Sequence, residues 1–218
     1  SSTRTSFHLV QSLRSIHETV GSIQRGIPVR ITGGTARGIP LRAPGRGQIR
    51  PATDRLRESV FSSLGPSVEG IRVLDLFAGT GAYGLEALSR GAESVTFVEK
   101  DRKAVACLET NLAAVLKSLS RSDLGTQVVQ ADVLSWRPSV TGDFDLVFAD
   151  PPFSKLDSIV QPLFRFLSRL PVPGGVQRVV LEMPGHFETE SPGWILARRV
   201  GKGRDQPTCC LFHRDTES

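Results

Sequence analysis

Cysteine is scarce in this chain. Cys107, Cys209 and Cys210 are its 3 cysteines, too few and too poorly spaced for a disulfide framework or for a zinc site, which needs about four N or S ligands. The expectation is a reducing compartment and no metal. Long apolar runs are missing as well, since no stretch approaches the roughly 20 residues that cross a bilayer. Hydrophobic residues make up 39% and charged residues 22% of the chain, the balance of a globular, soluble protein without a membrane partner. A secretory h-region is also lacking. The stretch from Ser1 to Arg14, rich in Ser, Thr and Arg and without an acid before Glu18, reads as a frayed tail or boundary segment, or as an organellar transit remnant. The expected location is cytoplasmic, or organellar if that extension is a transit remnant.

Acidic residues are few at the N-terminal end. Through residue 60 there are ten Lys or Arg (Arg4, Arg14, Arg25, Arg30, Arg37, Arg42, Arg46, Arg50, Arg55, Arg57) against Glu18, Asp54 and Glu58, a balance of +7. The totals of 27 and 22 leave 17 basic and 19 acidic residues beyond it, or −2. The whole basic excess therefore lies at one end, which suggests a polyanionic partner met there; a solvated basic tail is the alternative.

The chain divides into an N-terminal extension over 1–28, a basic segment over 29–52 and a larger domain over 53–218. Phe7, Val10, Leu13, Ile16 and Val20 recur at helical spacing within the extension. The basic segment is strand-like around Arg30-Ile31 and Ile39-Pro40-Leu41 and is broken by glycines, the pattern of a small hairpin or meander carrying Arg37, Arg42, Arg46 and Arg50. Thr53 or Asp54 can then cap a helix running to Leu64. Beyond Gly70, apolar strands alternate with amphipathic helices. Strands are expected at Ile71–Phe77, Ser94–Glu99, Val128–Ala131, Phe144–Ala149 and Arg178–Glu182, with helices at Gly84–Arg90, Arg102–Leu119 and Leu156–Leu170. This alternation predicts an α/β fold with a parallel sheet and helices on both faces. Trp194–Val200 and Thr208–His213 are expected to add antiparallel strands at the edge.

At the end of the first of these strands, Gly79, Gly81 and Gly84 satisfy G-x-G-x-x-G, and Glu99 ends the second strand twenty positions after the first glycine. Glycines let the backbone approach a cofactor closely, and a carboxylate at the second strand's end can accept from ribose hydroxyls. The spacing alone does not separate a dinucleotide from another adenosine cofactor. Asp75, near the end of the first strand, would repel a pyrophosphate but suits a cationic group.

Asp150-Pro151-Pro152-Phe153 follows the fourth strand. Two prolines fix the backbone and remove two donors, so that nearby carbonyls and the Asp150 carboxylate can serve as acceptors. An exocyclic amine is a donor, and acceptors holding its hydrogens favour attack by its nitrogen. Phe153 can stack on a base, worth roughly 1 to 3 kcal/mol. Cys107 reads as a packing residue. Glu182, ending the fifth strand, either faces the cleft or lies on the surface.

Taken together, D-L-F-A-G-T-G and D-P-P-F resemble the cofactor loop and acceptor motif of class I S-adenosylmethionine-dependent amino methyltransferases. With Arg30-Ile31-Thr32-Gly33-Gly34, Arg37-Gly38 and Arg50-Pro51-Ala52-Thr53-Asp54-Arg55-Leu56-Arg57-Glu58 in the same order, residues 29 to 213 resemble the bacterial 16S ribosomal RNA guanine-N2 methyltransferase family. The resemblance implies a Rossmann-like, mostly parallel seven-stranded sheet with a small N-terminal β-hairpin. It implies S-adenosylmethionine as cofactor, held by Asp75, by Phe77, Ala78, Gly79, Thr80 and Gly81, by Glu99, and by Asp132 with Val133. It further implies that Asp150, Pro151, Pro152 and Phe153 hold the amine of a guanine in small-subunit ribosomal RNA, naked or in a 30S assembly particle. Arg37, Arg42 and Arg50 are the RNA-contact candidates; Arg50, Thr53 and Arg57 could instead close over the cofactor. The alternatives are an amino methyltransferase of another RNA, of DNA or of a protein glutamine, a nicotinamide-dependent oxidoreductase, and a non-catalytic ribosome-assembly factor. The connection Lys117–Gly125 is long and polar for this family, and residues 1–28 lie outside the resemblance.

Overall fold

The computed structural model describes residues 29–44, 51–122, 125–138, 144–170 and 178–215, with the side chains of 51–53 excepted. The expected helix over 7–20, together with Arg46 and Arg50, lies outside these residues. The elements are α1 (Pro51–Leu64), β1 (Arg72–Leu76), α2 (Ala82–Ser89), β2 (Ser94–Glu99), α3 (Arg102–Ser118), β3 (Gln127–Gln130), β4 (Leu146–Ala149), α4 (Leu156–Leu167), β5 (Arg178–Pro184), β6 (Trp194–Val200) and β7 (Pro207–Arg214).

The strands form one seven-stranded sheet in the order β3-β2-β1-β4-β5-β7-β6. β3, β2, β1, β4 and β5 run parallel, and β7 lies antiparallel between β5 and β6. The central strands are buried on both faces, as a parallel sheet covered by helices requires. One face carries α1, α2 and α3 through Phe61, Leu85, Leu88, Leu108 and Val115. The other carries α4 through Ile159, Val160, Leu163 and Phe164. Cys209 and Cys210 are buried on opposite faces of β7.

Local chemistry sets the element ends. α1 starts at Pro51, earlier than the cap expected at Thr53 or Asp54, because proline suits a first helical position whose N–H has no intrahelical partner. Asp54 instead pairs with Arg57 one turn on, at 3.0 Å. α3 is capped by Asp101, whose side chain accepts from the Ala104 N–H at 2.8 Å. Gly84 lets α2 sit tightly on β2, since a Cβ there would come within 2.3 Å of the Phe97 ring.

The basic segment takes the form of one antiparallel bridge, Arg30 to Pro40, around a turn. It packs into the domain core through Ile31, Ala36 and Leu41. Glu86 of α2, fully buried, accepts from the Thr32 N–H and hydroxyl, both at 2.7 Å, and pairs with Arg57 and Arg90. Ser89 accepts from Ala36 N–H and donates to the Gly33 carbonyl. Gly34 (φ +76) is required here, because a Cβ would lie 1.9 Å from the Ser89 carbonyl oxygen.

Candidate active site

In an open parallel sheet the ligand crevice forms at the carboxyl ends of the strands, where the strand order reverses. Here that point lies between β1 and β4. A cleft of about 270 Å³ opens there, lined in part by Phe77, Glu99, Asp132, Val133, Asp150 and Pro152. Residues from the cofactor set and from the D-P-P-F motif, far apart in sequence, thus share one cavity.

The loop after β1 is built on positive φ angles at Phe77 (+56), Gly79 (+54) and Gly81 (+82). Phe77 carries a strained conformation that a non-glycine rarely holds, of the kind found at ligand sites. A Cβ at Gly79 would meet no neighbouring protein atom closer than 3.9 Å, so its bareness leaves space open to a ligand; a Cβ at Gly81 would come within 2.1 Å of Leu108, so that glycine serves packing. The loop is pinned from below. Asp75, 2% exposed, accepts from the Gly84 N–H at 2.9 Å, and so braces the loop and the start of α2 from within rather than lining the cleft.

Glu99 accepts from Gly79 N–H at 2.9 Å through one oxygen and from Lys100 and Asp101 N–H at 2.8 Å through the other. Loop and strand end are therefore held in register, with the carboxylate at the cleft wall. Asp132 accepts from Leu134 N–H and faces Lys100 at 3.6 Å. Acceptors at the ends of β2 and β3, with Phe77, Val133, Leu134 and Ile159 as apolar walls, suit an adenosine moiety. Its ribose hydroxyls and amino group are donors and its purine is flat and apolar.

Asp150 continues the β4 ladder, its N–H donating to Leu76 carbonyl at 3.3 Å. Pro151 is buried and Pro152 lines the cleft. Phe153 is half-buried against the α4 side of the core. The Pro152 carbonyl is taken by Lys155 N–H at 2.9 Å. Since Ala149 is in register with Leu181, Asp150 sits beside Glu182 at the ends of adjacent strands. Burial, then Glu182, then Asp75 push the Asp150 carboxyl well above the usual carboxylate range. Asp150 is exposed to the cleft, so solvent softens the burial component, and the Glu182 charge beside it is the larger of the two charge effects that sustain the rise.

Behind Asp150 lies a small polar network. Tyr83 donates to Glu182 at 2.6 Å, lies 3.2 Å from the Cys209 sulfur, and stacks on Phe148 with centroids 5.0 Å apart. Glu182 is thus buried behind the cleft, not on the surface. Sequence reading passed over Tyr83, Lys100 and Lys155; the one available signal was the position of Tyr83 inside the glycine loop.

The RNA-contact candidates are separated from this network. Arg37 and Arg42 are exposed on the docked segment. The Arg42 backbone is gripped by Asn111 of α3, which accepts from Arg42 N–H at 2.7 Å and donates to the carbonyls of Arg42 and Thr80 at 2.9 and 3.0 Å. Arg57 is buried against Asp54, Glu86 and the Arg30 carbonyl and does not line the cleft. Among the described residues no group of three or more His, Cys, Asp or Glu could hold a metal ion.

The chain is similar to several known proteins. Ribosomal RNA small subunit methyltransferase D of Escherichia coli strain K12 is 40% identical over 127 residues, covering 58% of this chain and 61% of that protein. This chain thus matches less than two thirds of the length of that relative. Among solved structures, the yhhF protein of Escherichia coli superposes with a TM-score of 0.70 at 30% identity, covering 87% of this chain and 99% of that one. A hypothetical protein of Thermus thermophilus does so with a TM-score of 0.65 at 34% identity, covering 84% and 98%. The family model described as conserved hypothetical protein 95 matches residues 29–206, which takes in the docked basic segment, the glycine loop and the D-P-P-F motif, and the chain belongs to that family.

Proposed function

We propose that this protein transfers a methyl group from S-adenosylmethionine to the exocyclic N2 amine of a guanine in small-subunit ribosomal RNA. The observation that carries the reading is the convergence of Asp150 and Pro152 with Phe77, Glu99 and Asp132 around one cleft at the β1/β4 reversal, with Glu99 also holding the Gly79 N–H of the glycine loop. The similarity to ribosomal RNA small subunit methyltransferase D supports the choice of RNA.

When bound, S-adenosylmethionine supplies an electrophilic methyl. Glu99 and Asp132 would accept from its ribose and adenine, Phe77 and Val133 would wall the purine, and the Ala78–Gly81 backbone would take the methionyl end. Asp150 and the Pro151 carbonyl accept the two amine hydrogens of the guanine, which turns the nitrogen lone pair out of the ring and toward the cofactor pocket. Phe153 stacks on the base. As the new N–C bond forms the methyl–sulfur bond breaks, leaving S-adenosylhomocysteine, and the amine proton passes to the Asp150 carboxylate, whose raised pKa makes it a better acceptor. Arg37, Arg42 and Arg50 contact the RNA backbone, and the acceptor is naked RNA or a 30S assembly particle in the cytoplasm.

The test is transfer of labelled methyl to under-methylated small subunits, naked ribosomal RNA, DNA and total protein, followed by nucleoside analysis. N2-methylguanosine from the small subunit is expected. Label confined to DNA or protein would overturn the substrate, and cofactor binding without any transfer would leave a non-catalytic assembly factor.

A further inference from the structure

We infer that the outer face of α4 is a second RNA-backbone contact, in which Arg137, Arg165 and Arg169 grip phosphates of the strand leaving the reactive cleft. The inference rests on RNA being the substrate, and it goes beyond the N-terminal arginines.

The three arginines rim one depression of about 240 Å³, floored by Leu134, Pro162 and Phe166. All three are exposed, and among the described residues no acid lines the depression and none of the three arginines forms a salt bridge. Arg137 is already oriented, its Nη1 donating to the carbonyls of Leu134 and Trp136 at 3.3 and 2.7 Å. Arg165 and Arg169 also rim the adjoining hollow beside Ser168 and Ser191, so they stand on the ridge between two concavities. Three guanidiniums with no neutralising carboxylate among the described residues form a local excess of positive charge, in a part of the chain that is acidic on balance.

Position favours RNA over another anion. Leu134 lines both the reactive cleft and this depression, and Ile159, near the start of α4, lines the cleft as well. Ile159 to Arg165 is about 9 Å along a helix rising ~1.5 Å per residue. A base held at Asp150 belongs to a chain that must leave the cleft, and on the α4 side it crosses this rim within a few nucleotides. Guanidiniums pair with phosphate oxygens in fork geometry, and the apolar floor can take a sugar or base edge.

The experiment compares wild type with the R137Q/R165Q/R169Q and R137K/R165K/R169K variants. It reads melting temperature, S-adenosylmethionine affinity, and steady-state transfer to small-subunit ribosomal RNA across a salt series. For the glutamine variant we expect cofactor affinity and melting temperature unchanged, kcat at saturating RNA within about twofold, and KM for RNA raised roughly tenfold or more. The slope of log KM against log salt should fall by about one for each arginine removed. The lysine variant, which keeps the charge, should recover most of the slope. An unchanged KM and salt slope in a folded glutamine variant, beside a wild type that methylates RNA, would overturn this contact and leave the proposed activity standing. A wild type that binds cofactor but takes no RNA, or takes only an acidic protein, would overturn both.

Discussion

Binding of S-adenosylmethionine should expel a proton from beneath the glycine loop. Asp75 is buried under that loop, and its pKa is pushed up to about 8, by burial first and by the Glu99 charge as well, against the Gly84 hydrogen bond that lowers it. With a pKa near 8, roughly nine in ten ligand-free molecules hold this proton at about pH 7. A cationic methionyl group docked on the loop favours the ionised carboxylate, so binding and deprotonation are linked. The affinity should rise by up to tenfold per pH unit between about 6 and 8 and level off above. Calorimetry near pH 7 in buffers of different ionisation enthalpy should show a release up to about 0.9 proton larger in wild type than in D75N. S-adenosylhomocysteine, whose sulfur is neutral, should release less. Folding is linked with the opposite sense. The folded pKa lies above the unfolded value, so the contribution of Asp75 to the stability of the ligand-free protein is full below the ordinary carboxylate pKa and is lost as pH rises toward about 8, by up to about 1.4 kcal/mol per unit. D75N should flatten that decline. Equal proton release in wild type and D75N, with an affinity indifferent to pH, would refute the role given to Asp75.

Three further outcomes follow from named contacts. D150A should keep cofactor affinity and lose about a hundredfold or more in single-turnover transfer, because it removes an acceptor used mainly as the methyl moves. E182Q preserves a partner for Tyr83 but removes the nearest negative charge from Asp150; the acid limb of its kcat profile should therefore move to lower pH, and an unmoved limb would count against Asp150 as the proton acceptor. N111A removes the partner of part-buried backbone groups of Arg42 and Thr80 and should cost roughly 1 to 3 kcal/mol in urea unfolding.

The parallel β/α portion was readable because its strands are apolar runs and its helices keep a helical period; both signals depend on near neighbours. Edges of elements moved by one to four residues, most at α1, which starts at Pro51 ahead of the expected cap. The order of β7 between β5 and β6 comes from pairing across the sheet, which spacing does not encode. Asp75 shows the limit most clearly. As a carboxylate before a glycine loop it reads as a direct ligand of a cation, yet the α2 amide at Gly84 draws it inward, a contact no pattern of types reveals. Glu86 reads as an ordinary helical acid and proves fully buried, because its partners Thr32, Arg57 and Arg90 come from three separate elements. Arg137, Arg165 and Arg169 went unnoticed for the same reason: they meet only when the loop that follows β3 and the C-terminal end of α4 with the residues just beyond it are brought side by side.

These burials bear on how the two ends of the reaction are coordinated. α2 is 8 residues long, about 12 Å at a rise of ~1.5 Å per residue. Its first turn leaves the cofactor loop at Gly81, and its last turn carries Glu86 and Ser89, which hold the basic segment at Thr32, Gly33 and Ala36. Asn111 makes a second tie, bonding Arg42 and Thr80 with one side chain. The segment that presents Arg37 and Arg42 and the loop that takes the cofactor are thus fastened to the same two helices at buried, fully partnered groups. A shift of the segment by even one hydrogen-bond length would strand the Glu86 carboxylate among unpaired donors, and losing a partner from a buried pair costs about 3 to 5 kcal/mol. Arg37 and Arg42 therefore stand on a fixed platform rather than a loose arm, and under the proposed function an RNA seated on it would meet Asp150 at a distance set by the protein before binding.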